Sequence, residues 1–249
     1  MNKHATISFV VPAYNEEKHL TKTLIAITSE IERTGCKAEI IVVNNASTDG
    51  TRELAASFPE VVVVDEPVKG LVQARRAGFL RANGDLIANV DADTIVPEGW
   101  LNRVLAEFRH RPGLVALSGP YIYYDVPKRT RAAVQAFYVM GFGLYVLNRF
   151  VLRSGSMLQG GNFVVRREAL EEIGGYNPSF SFYGEDTDLA RRLNAVGAVK
   201  FTFQLPALSS GRRLLEEGVL RMGMRYSMNF VWATYRRRPF TEDWIDVRH

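Results

Sequence analysis

Four short apolar runs, at residues 7–11, 40–43, 61–64 and 86–90, separated by segments of helix length, constrain this chain more than any other feature of it. Runs of four or five apolar residues bounded by turn formers fit buried strands. Strands alternating with helices imply a mainly parallel sheet covered on both faces, so an α/β fold is expected. In such a sheet the turns that follow the strands collect along one edge, where open α/β sheets bind ligands.

Those turns are rich in polar groups. Pro12, Tyr14, Asn15, Glu16 and Glu17 follow the first run, and Asn15 with the two acids reads as the cap and first turn of a helix carrying Leu20, Leu24 and Ile27. Residues 44–49 follow the second, with Ser47 and Thr48 as cap candidates and Asp49 at the turn's end. Asp91-Ala92-Asp93 follows the fourth, and its two carboxylates point the same way if extended geometry persists through Ala92. Hard oxygen ligands at a strand exit suggest a divalent cation, and the whole edge suits a nucleotide with a metal-bound diphosphate. Neither GxGxxG after the first strand nor GxxxxGK[ST] anywhere is present, so metal and side chains must hold the phosphates.

A chain of 249 residues, 47% hydrophobic and 23% charged, is an ordinary globular composition, and no repeat, low-complexity block or linker divides it. The formal charge of +4, with basic residues crowding the C-terminus, fits a phosphate-bearing ligand or an anionic surface better than nucleic acid. Cys36 is the only cysteine, which excludes an intrachain disulfide and a cysteine-based metal site. The apolar run before Pro12 is too short for a signal-peptide core. A cytoplasmic location is therefore expected, with the inner face of a membrane as its variant.

In order, PAYNEE, VVNNASTDGT, KGLVQARRAG before GDLIANVDAD, GGNFVVRREALEEIGGY and YGEDTDLARRL together resemble a family 2 glycosyltransferase of the GT-A fold, over roughly residues 7–193. The resemblance implies a single GT-A (Rossmann-like) domain that moves a sugar from a nucleoside-diphosphate sugar to an acceptor, with inversion and with Mn2+ or Mg2+. By position, Pro12, Tyr14, Glu16, Asn45 and Arg75 would line the nucleoside pocket. Asp49 would belong to the same donor side, Asp91 would lie near ribose or metal, and Asp93 would be the metal ligand. Many members carry acids directly after the second strand, where this chain has Asn44 and Asn45. An amide both donates and accepts, which leaves the donor base open. The QxxRW motif of processive members is absent, which favours transfer of single sugars.

Residues 1–210 are expected to form the domain, with a donor half at 1–97 and an acceptor half at 98–210. Residues 114–118 read as a further strand leading to Tyr121, Tyr123 and Tyr124, and residues 163–166 as another. Gly160 and Gly161, with Asn162, fit either an acceptor wall or a plain turn. Glu185, Asp186 and Asp188 open a helix, where acids interact well with the dipole, and the dipole would keep a carboxylate ionised. The family's catalytic base sits at the Asp of such a Glu-Asp pair, so the resemblance assigns it to Asp186, with Glu185 on the acceptor side. Arg212, in the loop before a basic segment, fits either a diphosphate contact or a solvated helix start.

Residues 211–249 are expected to form a helical extension, packed on the domain or facing a membrane. Residues 132–152 are apolar, yet their longest clean piece has twelve residues where about twenty are needed to span a bilayer. The run 212–238 mixes Leu214, Met224, Met228 and Trp232 with arginines, the composition of a helix on a membrane surface, although core packing is the commoner use. The acceptor is open between a glycan, a lipid carrier and a small molecule. Two further readings compete: a non-catalytic nucleotide-sugar or carbohydrate-binding protein of the same fold, and a Mg2+ phosphatase of the DxDxT type, which Asp91 to Thr94 also fits. A sugar-1-phosphate nucleotidyltransferase would need a glycine-rich, lysine-bearing first loop, which this chain lacks.

Overall fold

The computed structural model describes residues 6–147, 157–236, 238, 240 and 241. Its first half runs β1 (Ile7–Ala13), α1 (Leu20–Thr34), β2 (Ala38–Asn44), α2 (Thr51–Ala56), β3 (Val61–Asp65), α3 (Leu71–Arg81) and β4 (Leu86–Val90). There follow β5 (Thr94–Ile95), α4 (Trp100–His110), β6 (Leu114–Ser118), β7 (Tyr121–Tyr123) and α5 (Lys128–Leu147). The chain then continues through β8 (Asn162–Arg166), α6 (Arg167–Glu172), α7 (Glu185–Val196), β9 (Ala198–Phe201), β10 (Ala207–Ser209), α8 (Arg212–Glu217) and α9 (Val219–Arg236).

Seven strands form one sheet in the order β3-β2-β1-β4-β8-β6-β9, and β5, β10 and β7 form a small second one. Only β8 runs against its neighbours in the large sheet, pairing antiparallel with β4 and β6. Alternate residues of the apolar runs supply the two faces. Phe9, Val11, Ile40, Val42 and Ala88 pack under Leu20, Leu24 and Ile27 of α1 and Trp100, Leu101 and Val104 of α4. Val10, Ile41, Val43, Ile87 and Val165 pack on the other side against Val72, Leu170, Leu189 and Leu193 from α3, α6 and α7. The fold is therefore the mainly parallel, doubly covered α/β sheet that the alternation predicts.

Three local expectations change. β1 continues through Pro12, whose nitrogen faces β4 beyond their last pair, Val10 and Asn89, so the missing N–H costs no ladder bond. Asn15 caps no helix: it sits at φ 51°, α1 begins only at Leu20, and the Asn15 side chain instead accepts the Thr48 N–H at 2.8 Å. Its short polar side chain tolerates the left-handed region and ties the loop after β1 to the turn after β2. The strand geometry expected through Ala92 breaks at once, because the Thr94 N–H donates to Asp91 O at 2.9 Å and closes a turn.

The C-terminal run folds as α8 and α9, of which α9 packs on α7, α5 and α8. Leu214 is buried as core packing expects, but Met224 and Met228 face outward. The apolar segment 132–152 is α5 as far as Leu147, and its remainder lies outside the described residues. Among the described residues no helix is long and apolar enough to cross a membrane.

Close approach of α3 to the sheet depends on Gly78, where an added Cβ would stand 2.3 Å from Val10 Cγ1 and 3.1 Å from Val43 Cγ2. Gly78→Ala is expected to lower the unfolding free energy by about 1–3 kcal/mol through overpacking. Urea denaturation would register this as a lower midpoint at an unchanged slope.

Candidate active site

The exits of β1 and β2 hold a pocket lined by Pro12, Tyr14, Asn45, Lys69, Leu71 and Phe182. The Lys69 ammonium stands 3.7 Å from the Tyr14 ring centroid. Asn45 shapes this wall. Its amide nitrogen donates to Glu66 O at 3.0 Å and Val68 O at 2.8 Å, and its oxygen accepts the Gly70 N–H at 2.7 Å. An aspartate could not donate to two carbonyls, which gives a structural reason for the amide at this position.

Two predicted donor-side residues are engaged elsewhere. Asp49 accepts from the Thr51 N–H at 3.0 Å, the Thr51 hydroxyl and the Glu17 N–H at 3.3 Å, so it fastens the α2 start to the first loop. Arg75 does not line the pocket: it is fully buried, and Leu71 and Ala74 of the same helix line it instead. Arg75 Nη2 reaches Asp91 Oδ1 at 3.2 Å, Nη1 pairs with Glu185 Oε1, and the guanidinium lies 5.2 Å from the Phe163 ring centroid. Burial alone would depress its pKa, but Glu185 and Asp91 outweigh that and raise it.

Asp91 thus leaves β4 with one oxygen held by Arg75. The other lies 3.2 Å from the Tyr121 hydroxyl, which stands 2.8 Å from Gly160 O and accepts from Thr94 Oγ1 at 3.3 Å. Tyr121 was legible only as part of an aromatic stretch; its partners come from β4 and from the loop before β8. Gly161, at φ 75°, packs against this pair so closely that a Cβ would fall 2.0 Å from Asp91 Oδ2. Asn162 forms no acceptor wall: it is wholly buried, accepts Trp100 Nε1–H at 3.0 Å and donates to Gly119 O and Leu205 O at 3.0 Å each.

At the α7 start, Glu185 is buried against Arg75 rather than open to an acceptor. Burial pushes its carboxyl up to about 7 despite the opposing Arg75 charge. Asp186 is half-buried, accepting the Gly160 N–H at 3.2 Å through Oδ2 and the Thr187 N–H at 2.8 Å through Oδ1. Burial also raises its pKa, against Arg75 and those two N–H groups. The dipole expected to keep it readily ionised is outweighed by desolvation.

Asp93 has a partner on another element. Arg212, the first residue of α8, places Nη2 at 3.0 Å from Asp93 Oδ2 and pairs with Glu16 Oε1. Glu16 is buried under this arginine and does not line the pocket. Asp125 sets the approach of α8 by accepting from Ser210 Oγ and Gly211 N–H at 2.6 Å each. Nothing in the sequence ties residue 125 to residue 211.

No group of three or more His, Cys, Asp or Glu side chains forms a metal cage among the described residues. Asp93 nevertheless fits a divalent ion of the kind held by one or two carboxylates together with substrate phosphates. That a guanidinium already stands between Glu16 and Asp93 shows that this end of the site favours a cation.

A mainly parallel sheet with one reversed strand, a pocket at the first two strand exits and an Asp-Ala-Asp turn after β4 defines the GT-A class. The chain belongs to glycosyl transferase family 2, which it matches over residues 8–174. Glycosyltransferase AglE of Haloferax volcanii is 28% identical over 199 residues, covering 77% of this chain and 62% of that protein. Probable glycosyltransferase YdaM of Bacillus subtilis is 29% identical over 227 residues, 79% of this chain and 48% of that protein. The chain thus spans between about half and two thirds of these relatives' length. The Pyrobaculum calidifontis mannosyltransferase PcManGT, solved with GDP-Man and Mn2+, superposes with a TM-score of 0.66 at 20% identity, over 95% of this chain and 64% of that one. Family membership removes the phosphatase reading of residues 91–94.

Arg75→Met is expected to cost about 3–5 kcal/mol in unfolding free energy, because it leaves Glu185 buried without its counter-charge. Adding Glu185→Met should recover much of the loss, and a double-mutant cycle in denaturant measures that coupling.

Proposed function

We propose that the protein transfers a sugar from a nucleoside-diphosphate sugar to an acceptor hydroxyl, with inversion and with help from a divalent cation. The observation that carries this reading is the meeting at Gly160 of two carboxylate systems. Its carbonyl adjoins Tyr121 and, through it, Asp91, while its N–H holds Asp186. One end of the site thus suits a leaving diphosphate and the other a general base, and the pocket at Tyr14 suits a nucleoside.

In this mechanism the nucleoside lies by Tyr14, Asn45 and Phe182, with the diphosphate toward Asp93. Asp93 would hold Mn2+ or Mg2+, which would neutralise charge on the departing diphosphate. Asp186 accepts the proton of the acceptor hydroxyl while that oxygen attacks the anomeric carbon from the face opposite the leaving group. The new glycosidic bond forms as the bond to the diphosphate breaks, which inverts the configuration. Arg212 exchanges its carboxylate partners for diphosphate oxygens, whose geometry a guanidinium matches. Support for the cation comes from PcManGT and from GalNAc-T7, solved with UDP, GalNAc and Mn2+. Those two structures hold different bases, so the base of this chain's donor is left to experiment.

Asp186→Asn should lower kcat at least about 100-fold, the scale of general-base catalysis, with little change in donor affinity. Full residual turnover in this variant rules the assignment out. Because its carboxyl is raised and must be ionised to work, the acidic limb of kcat/KM should sit above the ordinary carboxylate value of about 4.

A thermal-shift screen of nucleoside diphosphates, with and without Mn2+, addresses the donor. One base should stabilise the fold by about 2.7 kcal/mol at a hundredfold excess over Kd, and mainly when the metal is present. Equal stabilisation without metal would count against the cation.

A further inference from the structure

Helices α5 and α9 lie against each other, with Phe137 beside Gly223. Each has a well-occupied inner face. On α5 the Tyr138 hydroxyl accepts the Tyr121 N–H at 3.2 Å and donates to Gln159 Oε1 at 2.7 Å. On α9, Asn229 and Ala233 are buried, and Ala233 meets Gly184 at the start of α7.

Their outer faces are unlike those of helices that border water. Along α5 the exposed positions Ala132, Ala136, Val139, Gly143 and Val146 recur at helical spacing and contain no charge. Along α9 the exposed positions Arg221, Met224, Met228 and Val231 recur in the same way. Val139 and Met224 are each 63% exposed, and Val231 is 46% exposed. A helix on a soluble domain ordinarily turns its polar side outward, so contiguous apolar stripes on two adjoining helices mark an interaction face.

Charge selects the partner. Neither helix contains a single acid, while α5 opens with Lys128, Arg129 and Arg131, and α9 carries Arg221 and Arg236, its Arg225 being paired with Glu217 of α8. A second copy docked on this face would set arginines against arginines. An anionic bilayer surface offers acyl chains to the stripes and headgroup charge to the basic rim. Neither helix is long and apolar enough to cross, which leaves the interfacial plane.

We infer that α5 and α9 form a docking face for an anionic lipid bilayer, with the two helices lying along its surface. Val139, Met224, Met228 and Val231 enter the headgroup boundary, and Arg221 and Arg236 meet anionic headgroups. Tyr138 on the inner side of α5 holds the backbone of Tyr121, so α5 joins the docking face to the site. On the transfer reading proposed above, that suits an acceptor anchored in the same membrane; the docking face itself does not depend on that reading.

The test is flotation of the full chain with vesicles of phosphatidylglycerol and phosphatidylcholine, against vesicles of phosphatidylcholine alone. The expected result is recovery with the anionic vesicles, weakened by salt and nearly absent with the zwitterionic ones. Arg221→Glu should reduce partitioning about fivefold or more for each charge lost, and the double variant Val139→Glu with Met224→Glu should abolish it. These side chains are exposed, so melting temperature and nucleotide-induced stabilisation should be unchanged, which separates lost docking from lost folding or lost donor binding. Protein left in the soluble fraction with both vesicle types overturns the proposal. So does a dimer, seen by light scattering, that the same substitutions dissociate, because a second copy would then own the face.

Discussion

A guanidinium with no access to water ties this molecule together. Arg75 projects from α3, in the first half of the chain, and its two terminal nitrogens end on Asp91 at the exit of β4 and on Glu185 at the start of α7. A buried charge persists only when paired, and the pairing here draws three elements distant in sequence to one point. Two acids around one base leave an excess of negative charge. Burial raises the Glu185 carboxyl, with the neighbouring Asp186 and Asp91 charges adding to it against Arg75, and the Tyr121 hydroxyl stands beside Asp91.

Much of the architecture was legible in the sequence, because local rules govern it. The apolar runs, the helix-length spacers and the acids opening α7 all report on neighbours within a few residues. The site was legible in kind and less so in detail. Pro12, Tyr14 and Asn45 do line the pocket at the first strand exits. Arg75 was expected to line the nucleoside pocket, and Asn162 and Glu185 to face an acceptor; their burial follows from partners 110, 62 and 110 positions away in the chain. Asp91 and Asp93 were expected to converge, but a single backbone hydrogen bond to Thr94 closes a turn, and they serve different neighbours.

The separation of those two carboxylates gives the site a division of labour. Asp91 belongs to the buried network that reaches Glu185 at the start of α7, whereas Asp93 answers to α8 through Arg212. Arg212 in turn stands on a segment anchored by Asp125 and bounded by Gly218 at φ 81°. The arginine that satisfies Asp93 is therefore carried by an element of its own, distinct from the rigid sheet that carries the aspartate.

The reversed strand β8 adds a constraint of another kind. A strand that runs backwards begins where its neighbours end, so the residues that introduce it stand level with the exit of β4. Gly161 can meet Asp91, and Gly160 can hold Asp186, only while Asn162 stays opposite Val90. Slippage by one residue would turn every side chain of the strand to the other layer. The spacing of Asp91 and Asp186 is in this sense counted out by a ladder of hydrogen bonds, and on the proposed transfer mechanism strand alignment becomes a catalytic parameter.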